Sequence, residues 1–143
     1  MINSFQWVPE RVALPLIDFA MIEGWIIRVA ENHGRIVGEI TYIFCDDEEI
    51  LRVNRKFLNH DYFTDIITFD NSKGKMIQGD MYISLDTVKS NAELLNLDYN
   101  SELLRVIIHG ILHLCGINDK APGEREIMEA HEDYALNLLK STI

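Results

Sequence analysis

This chain is short of the residues that would assign it to several common protein classes. Its 143 residues include only two cysteines, Cys45 and Cys115. Neither has a second cysteine at zinc-ribbon or redox spacing, so no disulfide framework is indicated and a reducing compartment fits. There are three prolines, and no low-complexity tract, internal repeat or long linker, which points to a single domain over residues 1–143. No run of about 18 apolar residues is present, so no membrane span is expected. The N-terminus lacks a basic start followed by an apolar core, so no signal peptide is expected either. A cytoplasmic location follows from these readings. Positive charge is also scarce: 13 Lys and Arg against 23 Asp and Glu give a net charge of −10. The broad basic footprint of a nonspecific nucleic-acid binder is therefore missing, and no DNA partner is expected. Affinity for RNA, if present, should be local, partner-assisted or sensitive to salt.

Apolar residues make up 48% and charged residues 25% of the chain, an ordinary globular balance. A chain of this length buries roughly two-thirds of its unfolded surface and needs no covalent staple. Residues 2–8 suggest a short first strand broken by Pro9. Over residues 14–30 the apolar side chains Leu16, Ile17, Ala20, Met21, Trp25, Ile26 and Val29 recur at helical steps. Residues 35–45 are β-branched and aromatic, and read as a strand. Asp46, with Glu49 three residues on, forms a capping-box pattern for a helix reaching about Phe57. A strand ending near Asp70, a turn over 71–75 and a strand over 77–85 follow. Helices are then expected from Asp86 to Leu97, from a Ser101 cap through the histidines, and from Glu124 to Lys140. The pattern β-α-β-α-β-β-α-α-α predicts an α+β or α/β domain, with a small mixed sheet packed on helices.

The stretch from Ile107 to Lys120 carries the chemistry. His109 and His113 stand four residues apart, Gly116 follows after three and Asp119 after three more. Positions i and i+4 share a helix face, so two imidazoles there can bind one ion. Gly116 can end the helix in a left-handed conformation, and the returning chain can bring Asp119 to the same ion. Three such ligands with an open fourth position describe a catalytic zinc site. The blander reading is a pair of core histidines beside a capping glycine and an ordinary Asn-Asp turn. The matching three-residue steps favour the metal. Glu102 and Arg105 lie on the histidine side, as candidates for the rim of the site or for a helix-surface salt bridge.

Where metallopeptidases carry a general-base glutamate after the first histidine, this chain has Gly110. Peptide hydrolysis is therefore disfavoured. A zinc-bound water, acidified to a pKa of about 7, could still attack a phosphodiester. Cys115 is turned well away from His113 on the helix and reads as packing, as does Cys45. His33 and His131 read as solvent-facing, and Thr64 and Asp65 as a cap or turn into the next strand. Met128 reads as core.

The block His109-Gly110-Ile111-Leu112-His113-Leu114-Cys115-Gly116, followed by Asp119, resembles the YbeY family of bacterial endoribonucleases. Thr64-Asp65-Ile66-Ile67-Thr68-Phe69, Gly79-Asp80-Met81-Tyr82-Ile83-Ser84, Met128 and Glu132 extend the resemblance from about Asn54 onward. It implies a zincin-like fold with one zinc per chain on His109, His113 and Asp119, where Asp119 takes the place of the family's third histidine. It also implies cleavage of single-stranded RNA, 3′-end maturation of small-subunit ribosomal RNA, and ribosome quality control, with ribosomal RNA and the small subunit as partners. The family's tyrosine is Ile117 here. Leu58 stands where the family tends to carry an arginine; Arg55, Lys56 or His60 could substitute, with a solvated surface position as the competing reading of each, and Arg55, His60 and Arg105 are the candidate substrate-binding residues. Two other readings stay open: a ribosome-associated assembly factor with a mainly structural metal, and a metal-dependent hydrolase of a small substrate.

Overall fold

Ile40, Tyr42 and Phe44 alternate along one strand, and all three are fully buried. That spacing puts them on one face of β2 (Ile36–Cys45) and turns the face inward. The computed structural model describes residues 3–60 and 64–140. Around β2 it builds a four-stranded sheet in the order β1-β2-β4-β3. β1 (Ser4–Pro9) and β4 (Met76–Ser84) flank β2 in parallel, with Trp7 opposite Tyr42 and Tyr42 opposite Met81. β3 (Ile66–Asp70) closes the other edge antiparallel to β4, with Thr68 opposite Met81. Parallel neighbours need crossovers, and helices α1 (Phe19–Asn32) and α2 (Asp47–Leu58) lie in two of them. Three more helices follow: α3 (Leu85–Leu95), α4 (Tyr99–Leu114) and α5 (Glu124–Lys140). The element order is the one expected, and the domain is a mixed α+β fold.

Helix α4 is the core helix. Leu103, Ile107, Ile108, Ile111 and Leu112 are fully buried, each such side chain contributing roughly 1.5–3 kcal/mol relative to exposure. Tyr42 Oη donates to the Ile107 carbonyl at 2.6 Å, tying the sheet to this helix. Trp25 Nε1 of α1 donates to the Ala135 carbonyl of α5 at 2.8 Å, closing the helical layer.

Several boundaries differ from the sequence reading. Helix α1 starts at Phe19 rather than near Leu14, because the Asp18 carboxylate accepts from the Met21 N–H and caps it there. The histidine helix is capped by Asp98, not Ser101; the Ser101 N–H is the donor that Asp98 satisfies. Pro9 closes β1 instead of lying beyond it. Asp46 caps α2 as expected, but the Glu49 side chain turns to Arg52 at 2.7 Å. His33 and His131 are half-buried against each other, ring centroids 5.1 Å apart, rather than solvent-facing.

Two glycines mark close approaches. A Cβ on Gly79 would stand 2.5 Å from the Phe69 carbonyl oxygen of the neighbouring strand. A Cβ on Gly110 would collide with Met81 Sδ and reach Ile66 Cδ1 at 3.0 Å. The first obstacle is backbone and cannot turn aside. The second is a flexible methionine side chain and the tip of Ile66, and alanine there recovers about 1 kcal/mol of helix propensity. Gly79→Ala should therefore cost about 1–3 kcal/mol in urea denaturation, and more than Gly110→Ala; the reverse order would refute this assignment. His33 has its pKa lowered by burial, by His131 and by Arg35. The unfolded chain then takes up this proton first, so the His33 contribution to stability is lost as pH drops below about 6.5. Comparing urea midpoints at neutral and mildly acidic pH, His33→Asn should gain stability relative to the wild type on acidification.

Candidate functional site

One wall of a cleft of about 1130 Å³ is built from α4 and α5, with the chain entering β3 beside them. His109 and His113 both line it from α4. Cys115 caps the helix, and Gly116, at φ +96, turns the chain back. The return brings Asp119 into the same cleft, its Oδ2 3.3 Å from His109 Nε2. The sequence expectation that the glycine ends the helix and returns the aspartate is met.

Glu132, on α5, is almost fully buried and grips two partners. Its Oε2 lies 2.6 Å from His109 Nδ1, and its Oε1 accepts from Arg105 Nη1 at 2.8 Å. Arg105 Nε is also 3.3 Å from Glu102 Oε1, an ion pair without hydrogen-bond geometry. Burial works against a proton on His109, but the bonded Glu132 carboxylate, with Asp119 and Asp65, raises its pKa overall. Asp65, half-buried in the cleft, has its carboxyl pushed up by burial, partly opposed by His109. Glu102 is pushed up by burial too, against the pull of Arg105.

This arrangement bears on whether a metal fits. Glu132 fixes the proton of a neutral imidazole on Nδ1, leaving the Nε2 lone pair facing the Asp119 carboxylate. Two electron-rich atoms at 3.3 Å need a proton or a cation between them. Donors on one tetrahedral zinc, with bonds of about 2.0–2.1 Å, stand roughly 3.3 Å apart. The donor types, the carboxylate-backed imidazole and this spacing all fit zinc. The ligand set is not closed, however. Among the described residues no group of three or more His, Cys, Asp or Glu side chains converges to hold an ion, although His113 lines the same cleft.

The other residues sort by position. Arg105 sits at the site, and His60 lines the cleft. Arg55 lines a separate depression of about 670 Å³, with Arg11, Arg52 and Lys56. Leu58 lines the cleft. Asp65 and Thr64 both face it, where the sequence suggested only a cap or turn. Gly110 packs toward Met81 and the sheet, so close approach explains the missing side chain. Cys45 and Cys115 are buried as expected, and burial raises their pKa values to about 12 and about 11. From the sequence, Glu132 stands out only as part of the family resemblance. Its signal is nonetheless in the sequence: Met128, Glu132, Ala135 and Leu139 form the buried stripe of α5, and an acid at a stripe position must find a buried partner.

Removing that acid tests the arrangement. Glu132→Ala leaves Arg105 and His109 without their shared carboxylate and should cost about 3 kcal/mol. In the milder Glu132→Gln, measured by NMR on metal-free protein, the His109 pKa should fall, because the carboxylate that raises it is gone. An unchanged His109 titration would show that Glu132 does not hold the ring.

A model of the family described as Endoribonuclease YbeY matches residues 18–140. A protein of Parabacteroides distasonis named Endoribonuclease YbeY is 62% identical over 136 residues, covering 95% of this chain and 96% of the relative. Its namesake from Phocaeicola vulgatus is 62% identical over 130 residues, covering 91% and 94%. That from Bacteroides thetaiotaomicron is 59% identical over 127 residues, covering 89% and 93%. Among solved structures, the solution structure of a Thermotoga maritima protein superposes with a TM-score of 0.63 at 23% identity, covering 96% of this chain and 93% of that one. The last likeness concerns the fold; the family match and the close relatives identify the chain, which belongs to the YbeY endoribonuclease family.

Proposed function

We infer that this protein is a zinc-dependent endoribonuclease that cuts single-stranded RNA, acting in 3′-end maturation of small-subunit ribosomal RNA and in ribosome quality control. The observation that carries the reading is His109, clamped by the buried Glu132 on one nitrogen and facing Asp119 with the other, in an open cleft that His113 shares. Family membership supplies the reaction class, since the relatives are named endoribonucleases.

His109, His113 and Asp119 would hold the zinc. When bound, it would supply an acidified water and a binding point for a phosphate oxygen. The chain's own residues do the rest. Glu132 fixes the His109 ring and keeps its outer nitrogen free. Arg105, held between Glu132 and Glu102, places a fixed positive charge at the cleft wall, suited to a phosphate. Lys120 and Arg125 add cationic lining, while the chain as a whole carries −10. The same lining also holds Asp65, Glu102, Asp119, Glu129, Glu132 and Asp133, so entry of RNA would rest on the charge of the bound zinc and on presentation by a partner such as the small subunit. Among the described residues no helix is long and apolar enough to cross a membrane, and a cytoplasmic location belongs to this reading.

Metal analysis of purified protein should find about one zinc per chain. His113→Ala should lose the zinc and lower cleavage of single-stranded RNA by more than the roughly 10–100-fold expected for Glu132→Gln. Metal retained but cleavage absent in the wild type would favour an assembly factor with a structural metal, a reading the acidic charge also suits. Zinc-dependent turnover of small esters without RNA cleavage would favour a small-substrate hydrolase.

A further inference from the structure

The return from α4 to Asp119 hangs on one peptide plane, between Cys115 and Gly116. Its N–H, on Gly116, donates to the His113 carbonyl at 3.0 Å. Its oxygen, on Cys115, accepts from Arg35 Nη2 at 2.8 Å. The plane is thus pinned at both ends, once from inside α4 and once by a residue 80 positions away in sequence. The next N–H, of Ile117, is also tied back, to the Leu112 carbonyl at 3.1 Å. From there the backbone runs to Asp119 without helix or strand.

Arg35 is the fixed end of this link. Its own N–H donates to the Ala30 carbonyl of α1 at 2.9 Å, and β2 begins at the next residue, Ile36. Its side chain is half-buried. A Cβ on Gly116 would stand 3.4 Å from Arg35 Nη2, so the guanidinium lies against the turn itself. The last carbonyls of a helix have no acceptor role within it, and a charged donor is a strong partner for one of them. Water would satisfy the same oxygen without fixing its direction.

Resting on the zinc reading above, we propose that Arg35 is a positioning residue for the site: by holding the Cys115–Gly116 peptide plane it aims the chain so that Asp119 meets His109. Three residues separate Gly116 from Asp119 and reach at most about 10 Å, so a tilt of about 10° at the plane shifts the carboxylate by up to about 2 Å. That is the length of a zinc–oxygen bond. A plain helix cap would stabilise α4 and leave metal binding untouched. The pinned plane differs from one in standing three residues before a ligand.

The test uses the full chain as wild type, Arg35→Met and Arg35→Lys. Zinc affinity comes from competition with a chromophoric chelator. The His109 Nε2 to Asp119 Oδ2 separation comes from crystals of the metal-free proteins. Arg35→Met keeps the apolar stem and removes the donor. It should bind zinc about tenfold more weakly, the lower end of the range for residues that orient a ligand. Its Asp119 carboxylate should leave the position 3.3 Å from His109. Arg35→Lys keeps a cationic donor and should fall between the two. Zinc affinity unchanged in Arg35→Met overturns the proposal, even where its urea midpoint falls, and leaves Arg35 as a helix cap alone. Weaker zinc binding with Asp119 unmoved overturns it as well. If Arg35→Met does not fold, Arg35→Lys is judged against the wild type by the same two criteria. A wild type that binds no zinc defeats the zinc reading only, and the carboxylate separation then decides the role of Arg35 by itself.

Discussion

The site depends on one buried carboxylate. Glu132 meets His109 and Arg105 at once, each on a separate oxygen. Burying a carboxylate is costly unless it is paired and hydrogen-bonded, and two donors meet that cost. In return the imidazole of His109 is locked in orientation and tautomer. Glu132 thereby joins α5 to α4, so the helical layer and the His109 ring share one interaction. Asp119, Asp65 and Glu102 surround the same centre with further negative charge. That excess of carboxylate over Arg105 and His109 makes the cleft a place where a cation is welcome.

Helix α4 reconciles two demands that usually conflict. Its buried side must fit the sheet closely, so Gly110 sits where a Cβ would have to displace the Met81 and Ile66 side chains. Its other side carries His109 and His113 into the cleft. A helix nearly apolar all round can present imidazoles only if neighbours satisfy them, and those neighbours come from other elements. Asp119 arrives by the Gly116 turn and Glu132 from α5.

Much of this was legible in the sequence because it is local. The i, i+4 histidines, the terminating glycine and the order of nine elements follow from spacing and period, and the structure agrees with them. What escaped was non-local or competitive. The start of α1 was decided by Asp18 outcompeting an apolar pattern that ran further back, and the start of α4 by Asp98 outcompeting Ser101. His33 and His131 lie 98 positions apart in sequence (131 − 33) and meet only in the fold. Asp65 read as a turn because nothing nearby in sequence shows that it faces His109. Glu132 was readable in principle as an acid on an apolar stripe, but its partners are not.

The position of α5 has a consequence in time. It supplies Glu132 to the site and the Ala135 carbonyl to Trp25, and it is the last helix of the chain. Domains emerge from the ribosome N-terminus first. Every other element can therefore be made while His109 still lacks its anchor and Trp25 its acceptor. The His109 ring therefore receives its buried carboxylate only after every other described element has been made.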